Sequence, residues 1–303
     1  MSAEMVAQVR RFNRVVTRSA GVLNENFLAS GRSLGQDRLL WEIGAAGCDV
    51  RDLRERLGLD SGYLSRLLRA LQREGLVAVM RSDADGRMRT AQLTAAGHRE
   101  LATLNERSDD AAAGVLRSLT DSQQDRLVTA MAQVERLLTA SAVRVDAYDP
   151  RHPDARYCLE TYYAELAQRF RDGYDPAVSP VADDEMTPPA GLLLVASLHG
   201  QPVGCGAVIW YPGGVALVKR MWVAPSVRGL GLGRRILTEL EARAEAHGHR
   251  LMRLETKAEL TEALQMYRSR GYREVEPFND EVYADHWFEK SLSTDGRSKT
   301  RRE

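Results

Sequence analysis

The stretch Lys219-Arg-Met-Trp-Val223-Ala-Pro225-Ser-Val-Arg228-Gly-Leu-Gly231-Leu-Gly233-Arg234-Arg235-Ile-Leu decides how the second half of this 303-residue chain is read. A strand-like run ends at Val223, and Pro225 breaks any further ladder. Glycines at 229, 231 and 233 then feed a helix expected to reach about Ala246. Glycine lets the backbone come close to a ligand, and the free N–H groups of a first helical turn face an anion. Arg228, Arg234 and Arg235 add positive charge. The expectation is a pyrophosphate cradle built from Arg228, Gly229, Leu230, Gly231, Leu232, Gly233 and Arg234. Dinucleotide-binding folds use a similar glycine run. Two features argue against one here. Three antiparallel-looking strands (192–198, 202–211 and 214–223) precede the turn, and the first glycine follows Pro225 and Arg228, not a parallel strand leading straight into the turn; the lysine of a P-loop is also missing.

Upstream, 143–147 reads as an edge strand and 153–170 as a helix whose aromatic residues are assigned to the core. Residues 172–190 hold four prolines and read as a long loop without a clear element, of the kind that often lines sites. Further on stands Ala263-x-x-Met-Tyr267-x-x-x-Gly271-Tyr272. Together, this segment and the RGLGLGR run resemble the GNAT family of acyl-CoA-dependent N-acyltransferases, over roughly residues 143–292. The resemblance implies an α/β fold with a mixed, splayed central sheet. In it, 250–256 is the next parallel strand and 262–270 the following helix. It implies acetyl-CoA as acyl donor, with the pyrophosphate held on the Arg228–Arg234 turn and the pantetheine arm along Met221 to Val223. Tyr267 matches the tyrosine that protonates the leaving thiolate, so it is the expected catalytic residue. The general base stays open. Leu217 stands where many relatives carry a glutamate, and Leu260 where they carry an asparagine. Glu255, Asp280, Glu281 and His286 are candidates, as is water. Cys205 lies in a strand-like run without a paired histidine, so burial is expected and no covalent acyl-enzyme.

The first half is helical in pattern. Residues 50–57 and 61–72 form two helices around Gly58-Leu59-Asp60, with Leu64, Leu67, Leu68 and Leu71 on one face of the second. Its other face carries Ser61, Tyr63, Ser65, Arg66 and Arg69, the side chains a recognition helix needs in a major groove. Strands at 76–80 and 88–93 flank Asp85-Gly86, a hairpin signal that puts Arg87 at the tip of a wing. The window 51–89 has nine Arg against six acids. This order resembles the winged helix-turn-helix core of MarR-family transcriptional regulators. The resemblance makes 61–73 the recognition helix and matches Asp85 and Arg87 to the wing signature, with double-stranded DNA as partner. Gly86 departs from the two adjacent arginines common there. Flanking helices at 2–19 and 95–140, with apolar stripes larger than a small winged core needs, imply a homodimer.

Composition sets the frame. Lys+Arg and Asp+Glu are 42 each, so no global positive field argues for nucleic acid. Three scattered cysteines support neither a disulfide scaffold nor a cysteine-rich zinc site, and no metal is expected. No apolar run is long enough to span a membrane, and the cytosol is the expected compartment. The expected domains are 1–142, a DNA-binding and dimerising winged helix; 143–292, the acyltransferase; and 293–303, a polar tail expected to be disordered. Three functions remain open: an N-acetyltransferase for a small amine or protein lysine coupled to a regulator; a regulator that senses acyl-CoA or an amine with little turnover; and an enzyme whose winged helix serves only dimerisation.

Overall fold

The computed structural model describes residues 2–19, 28, 30–81 and 89–292. Asp85, Arg87 and the tail from 293 lie outside the described residues. The chain divides into two compact units, Met1–Gln133 and Val134–Glu303.

The first unit contains α1 (Ala3–Ser19), α2 (Leu34–Ile43), β1 (Cys48–Asp49), α3 (Val50–Leu57), α4 (Ser61–Arg73), β2 (Val77–Arg81), β3 (Arg89–Leu93) and α5 (Ala95–Arg117). α6 (Asp121–Ala142) begins in this unit and runs through the division. Gly58 closes α3 in the left-handed conformation, and two residues later Asp60 Oδ1 accepts from the Tyr63 N–H at 2.8 Å to start α4. That tight pair of caps sets the helix–turn–helix. Leu64, Leu67, Leu68 and Leu71 of α4 are buried against Leu39, Leu40 and Ile43 of α2, Leu53 of α3 and Leu104 of α5. β2 and β3 pair antiparallel, Val77 opposite Leu93, and β1 adds a third short strand in the order β1-β3-β2. α5 begins directly on this sheet. A Cβ at Gly97 would lie 2.0 Å from the Leu76 carbonyl oxygen, so only glycine allows the approach.

The second unit is a seven-stranded sheet in the order β4-β5-β6-β7-β8-β10-β9. Its strands are β4 (Arg144–Tyr148), β5 (Gly191–Leu198), β6 (Gln201–Tyr211), β7 (Val215–Val223), β8 (Leu251–Thr256), β9 (Arg273–Val275) and β10 (His286–Ser291). Helices α7 (Pro153–Arg169), α8 (Leu232–Ala246) and α9 (Thr261–Ser269) cover it. β5 is apolar from Leu192 to Ala196 because both of its faces are buried. Leu192, Leu194 and Ala196 join one core with Ile236, Leu240 and Tyr267, whereas Leu193 and Val195 join another with Cys158, Leu159 and Trp222.

β5, β6 and β7 form the antiparallel meander, and among the described residues β7 with β8 is the one parallel pair in the sheet. The 172–190 segment does contain an element. Asp183–Met186 is a turn of 3-10 helix, and the buried Met186 side chain fastens it to the core. Among the described residues no helix is long and apolar enough to cross a membrane.

Candidate active site

The site begins where β7 and β8 separate. Their ladder holds over Val215–Leu251, Ala216–Met252 and Leu217–Arg253, and β7 then continues to Val223 without β8 as a neighbour. A cleft of about 400 Å³ opens there, lined by Met221, Trp222 and Val223 from β7, by Arg228, Gly229 and Gly231–Arg234 at the start of α8, and by Met266 and Tyr267 of α9. Gly231 is the residue before α8, with φ 78, and no atom lies within 4 Å of a Cβ placed on it. Glycine is needed for the backbone angle, and a side chain would fill the space in front of the first-turn N–H groups. That open cradle at a helix N-terminus, beside Arg234, fits a pyrophosphate.

The far wall is α7. Tyr162, Glu165, Leu166 and Arg169, spaced as one helical face, line the cleft. Tyr162 is half-buried and Tyr157 exposed, so the α7 aromatics are not simply core as expected from spacing. Arg228 also departs from expectation. Its Nη2 lies 2.6 Å from Glu165 Oε2 and its Nε donates to the Val223 carbonyl at 2.9 Å. Its charge is engaged by Glu165, whereas Arg234 lines the cleft without an ion pair among the described residues. Burial raises the Glu165 carboxyl, but hydrogen bonds from Arg228 and Trp222 more than reverse this and hold it below the usual range. Arg169 bridges Glu165 to Glu262 at the foot of α9.

A second, smaller cavity of about 80 Å³ continues behind Met221, Leu260, Ala263 and Tyr267, which line both spaces. It holds Lys219, buried between Glu255 and Glu281, with its ammonium 2.7 Å from Glu281 Oε2 and in contact with Glu255 Oε1. The Glu255 side chain is only 4% exposed, and its Oε2 has no hydrogen-bond partner. Burial pushes this carboxyl up, and the attraction of Lys219 only partly opposes the shift. Tyr267 is 5% exposed and packs against Tyr272 and Phe288. Burial, reinforced by the nearby Glu255 charge, pushes its phenol well above the ordinary value. It is therefore a proton donor, not a phenolate, throughout the neutral range.

Of the other acidic candidates, Asp280 is exposed, and His286 pairs with Glu274 at 2.5 Å. Asp183 and Asp184 pair with Arg151 and Arg156 outside the cavity. Leu217 is buried, and Cys205 is buried, its thiol 3.3 Å from the Arg220 carbonyl. Leu230, whose side chain is half-buried, packs on the core beside α8. Sequence spacing missed Glu165, Lys219 and Arg220 as site residues. The 162–165–166–169 face of α7 was a usable signal for the first. In the first unit, α4 presents Ser61, Tyr63, Arg66 and Arg69 to solvent, while Ser65 is half-buried. The Arg66 guanidinium lies 5.5 Å from the Tyr63 ring centroid. Among the described residues no group of His, Cys, Asp and Glu is arranged to hold a metal.

The model of the acetyltransferase (GNAT) family matches residues 159–272. An uncharacterized N-acetyltransferase of Schizosaccharomyces pombe is 37% identical over 129 residues, which are 41% of this chain and 78% of that protein. The chain belongs to the GNAT acetyltransferase family. The IAA acetyltransferase of Azospirillum brasilense is 42% identical over 86 residues, 28% of this chain and 56% of its own length. Residues 30–88 match the MarR family, so this GNAT acetyltransferase carries a MarR-family winged helix ahead of its catalytic fold. The solved apo MarR of Escherichia coli overlaps 41% of the chain and 94% of its own, at 24% identity and a TM-score of 0.37. GNAT proteins use acyl-CoA donors, and the glycine turn of this member lies at the mouth of the cleft described above.

Proposed function

We propose that this chain transfers an acetyl group from acetyl-CoA to an amine by direct attack, and that its MarR-like front binds DNA as a homodimer. Residues 1–142 would be the regulator and 143–292 the enzyme. The observation that carries the catalytic reading is the continuity of the two cavities through Tyr267 and Met221. A donor lying in the cleft would present its reacting end to an acceptor in the smaller pocket.

Acetyl-CoA supplies the acetyl group as a thioester. Gly229, Gly231, Gly233 and the α8 N-terminus would hold its pyrophosphate with Arg234, and Met221 to Val223 would flank its arm. Glu255, a buried carboxylate with one unpartnered oxygen and a raised pKa, is suited to take the proton of the attacking amine. Tyr267 holds the proton that the departing sulfur needs.

The DNA reading rests on the exposed face of α4, where Arg66 and Arg69 stand clear of the core. CoA release from acetyl-CoA with a panel of amines tests the enzyme. Binding to DNA from the protein's own promoter over a range of salt tests the regulator. No CoA release above buffer with any amine, together with tight acetyl-CoA binding, would favour a sensor over an enzyme.

A further inference from the structure

The smaller pocket carries more positive charge than its carboxylates can neutralise. Its lining holds Lys219, Arg220 and Lys257, three cations, against Glu255 and Glu281, two carboxylates, and both carboxylates are already paired with Lys219. Arg220 is 5% exposed and makes no ion pair among the described residues. Its Nη1 donates to the Tyr174 hydroxyl at 2.9 Å and its Nη2 to the Ser179 carbonyl at 2.7 Å, both neutral acceptors, and its Nε has no partner. A buried guanidinium without a counter-ion is costly, and the face of Tyr163, 5.2 Å from its central carbon, offsets only part of the cost. The backbone adds to the oddity. Arg220 has φ 56, a conformation uncommon for a residue with a side chain, opposite the irregularity in the β6–β7 ladder.

Lys257 stands on the same cavity without an ion pair among the described residues. Its ammonium sits 4.9 Å from the Phe170 ring centroid and 5.8 Å from that of Tyr283. Such a wall favours an anion brought to it. A simple cationic amine would meet a surplus of like charge.

We infer that the acceptor is a small primary amine that also carries a carboxylate, with the carboxylate seated at Arg220 and Lys257 and the amine directed toward Glu255 and Tyr267. This deepens the reading of the cavity as an acceptor site and rests on it. The carboxylate would supply the missing counter-ion, and guanidinium groups bind carboxylates with paired, charge-assisted hydrogen bonds. The cavity volume of about 80 Å³ limits the enclosed part of the ligand to a few heavy atoms.

The test uses amines in pairs that differ only by the carboxylate: alanine with ethylamine, serine with ethanolamine, phenylalanine with phenethylamine. Binding to the CoA-loaded full chain is read by calorimetry, and turnover by CoA release from acetyl-CoA. The carboxylate-bearing member of at least one pair should bind at least about tenfold more tightly and show a correspondingly higher kcat/KM. Lys257→Met and Arg220→Met should each abolish that preference while leaving the acetyl-CoA dissociation constant unchanged. The Lys257 side chain makes no hydrogen bond among the described residues, only the two ring contacts, so its variant decides the matter if the Arg220 variant does not fold. Equal binding within every pair, a preference for the decarboxylated member, or a preference that survives in Lys257→Met would overturn the inference. The two readings fail differently. Carboxylate-selective binding without CoA release would sink only the enzyme, whereas turnover of ethylamine, ethanolamine and phenethylamine without selectivity would sink only the carboxylate site.

Discussion

Replacing Gly231 by Ala separates backbone strain from ligand contact, provided it is compared with Gly248→Ala. Both glycines have left-handed φ, 78 and 84, and neither has an atom within 4 Å of an added Cβ. Neither substitution therefore clashes with the protein, and each costs only the left-handed conformation, about 1 kcal/mol. For a unit of this size that is a fall in Tm of about 2–4 °C, the same in both variants. Their surroundings differ. Gly231 lines the cleft and precedes α8, whereas Gly248 closes the other end of that helix, away from the cleft. A methyl at 231 would occupy space that a phosphate needs in order to reach the first-turn N–H groups. The expected result is a CoA dissociation constant raised at least about tenfold, or 1.4 kcal/mol, in Gly231→Ala and unchanged in Gly248→Ala. Titration calorimetry measures the affinities and differential scanning calorimetry the stabilities. Equal CoA affinity in the two folded variants would show that the glycine turn is structural, and the coenzyme site would have to be sought elsewhere.

Tyr267→Phe keeps the ring on Tyr272 and Phe288 and removes only the hydroxyl, so kcat and kcat/KM should fall together by roughly ten- to a thousandfold with stability nearly unchanged; steady-state kinetics where chemistry limits will show it. Glu255→Gln should lower kcat/KM by about a hundredfold or more. In the parent the rate should decline as pH falls through a carboxyl pKa raised above the usual glutamate value, because the base works only when deprotonated, and the glutamine variant should lose that acid limb. A pH profile with the same acid limb in both proteins would remove Glu255 from the mechanism. In the first unit, Met5, Val9, Phe12 and Val16 of α1 form an exposed apolar stripe. Val9→Asp with Val16→Asp should raise the dimer dissociation constant by ~100-fold in sedimentation equilibrium, and a parent that is monomeric at all concentrations would refute the dimer.

Local rules made much of the fold legible. Caps and hydrophobic spacing fixed α3 and α4 to within a residue or two, because Gly58 and Asp60 act through their own backbone and nearest neighbours. The glycine run located α8 for the same reason. Legibility ended where distant segments meet. Glu165 lies 63 positions from Arg228, and Lys219 lies 36 and 62 positions from its two carboxylates; no local pattern announces such pairs. The 3-10 turn at Asp183–Met186 was hidden among prolines and acids because the buried Met186 and the ion pairs of Asp183 and Asp184 that hold it reach distant segments. The place of Arg228 in the glycine run is visible in the sequence, whereas its carboxylate partner belongs to the distant α7.

The same distinction bears on the missing acid at Leu217. In the parallel ladder Leu217 stands opposite Arg253, and the side chains two residues further along each strand, Lys219 and Glu255, are the ones that meet. Strand periodicity puts 217 and 219 on one face of β7, and 253 and 255 on one face of β8. In the proposed mechanism Glu255 on β8, one strand over and just past the last paired residues, would stand in for the carboxylate missing from β7. The exchange has an electrostatic consequence. A carboxylate on β8 reaches the pocket only beside Lys219, which keeps it charged more of the time than burial alone would allow. Glu281 then binds the other side of the lysine and shares its charge, and its own negative charge pushes the Glu255 carboxyl up. Disrupting that second contact should therefore weaken the base without touching it. Glu281→Gln leaves Lys219 with one carboxylate, tightens its hold on Glu255 and draws the Glu255 pKa down. The acid limb of the rate profile should move to lower pH while the maximal rate falls. An acid limb that stays in place, with Glu255→Gln already known to abolish it, would show that Lys219 and Glu281 do not tune this carboxylate.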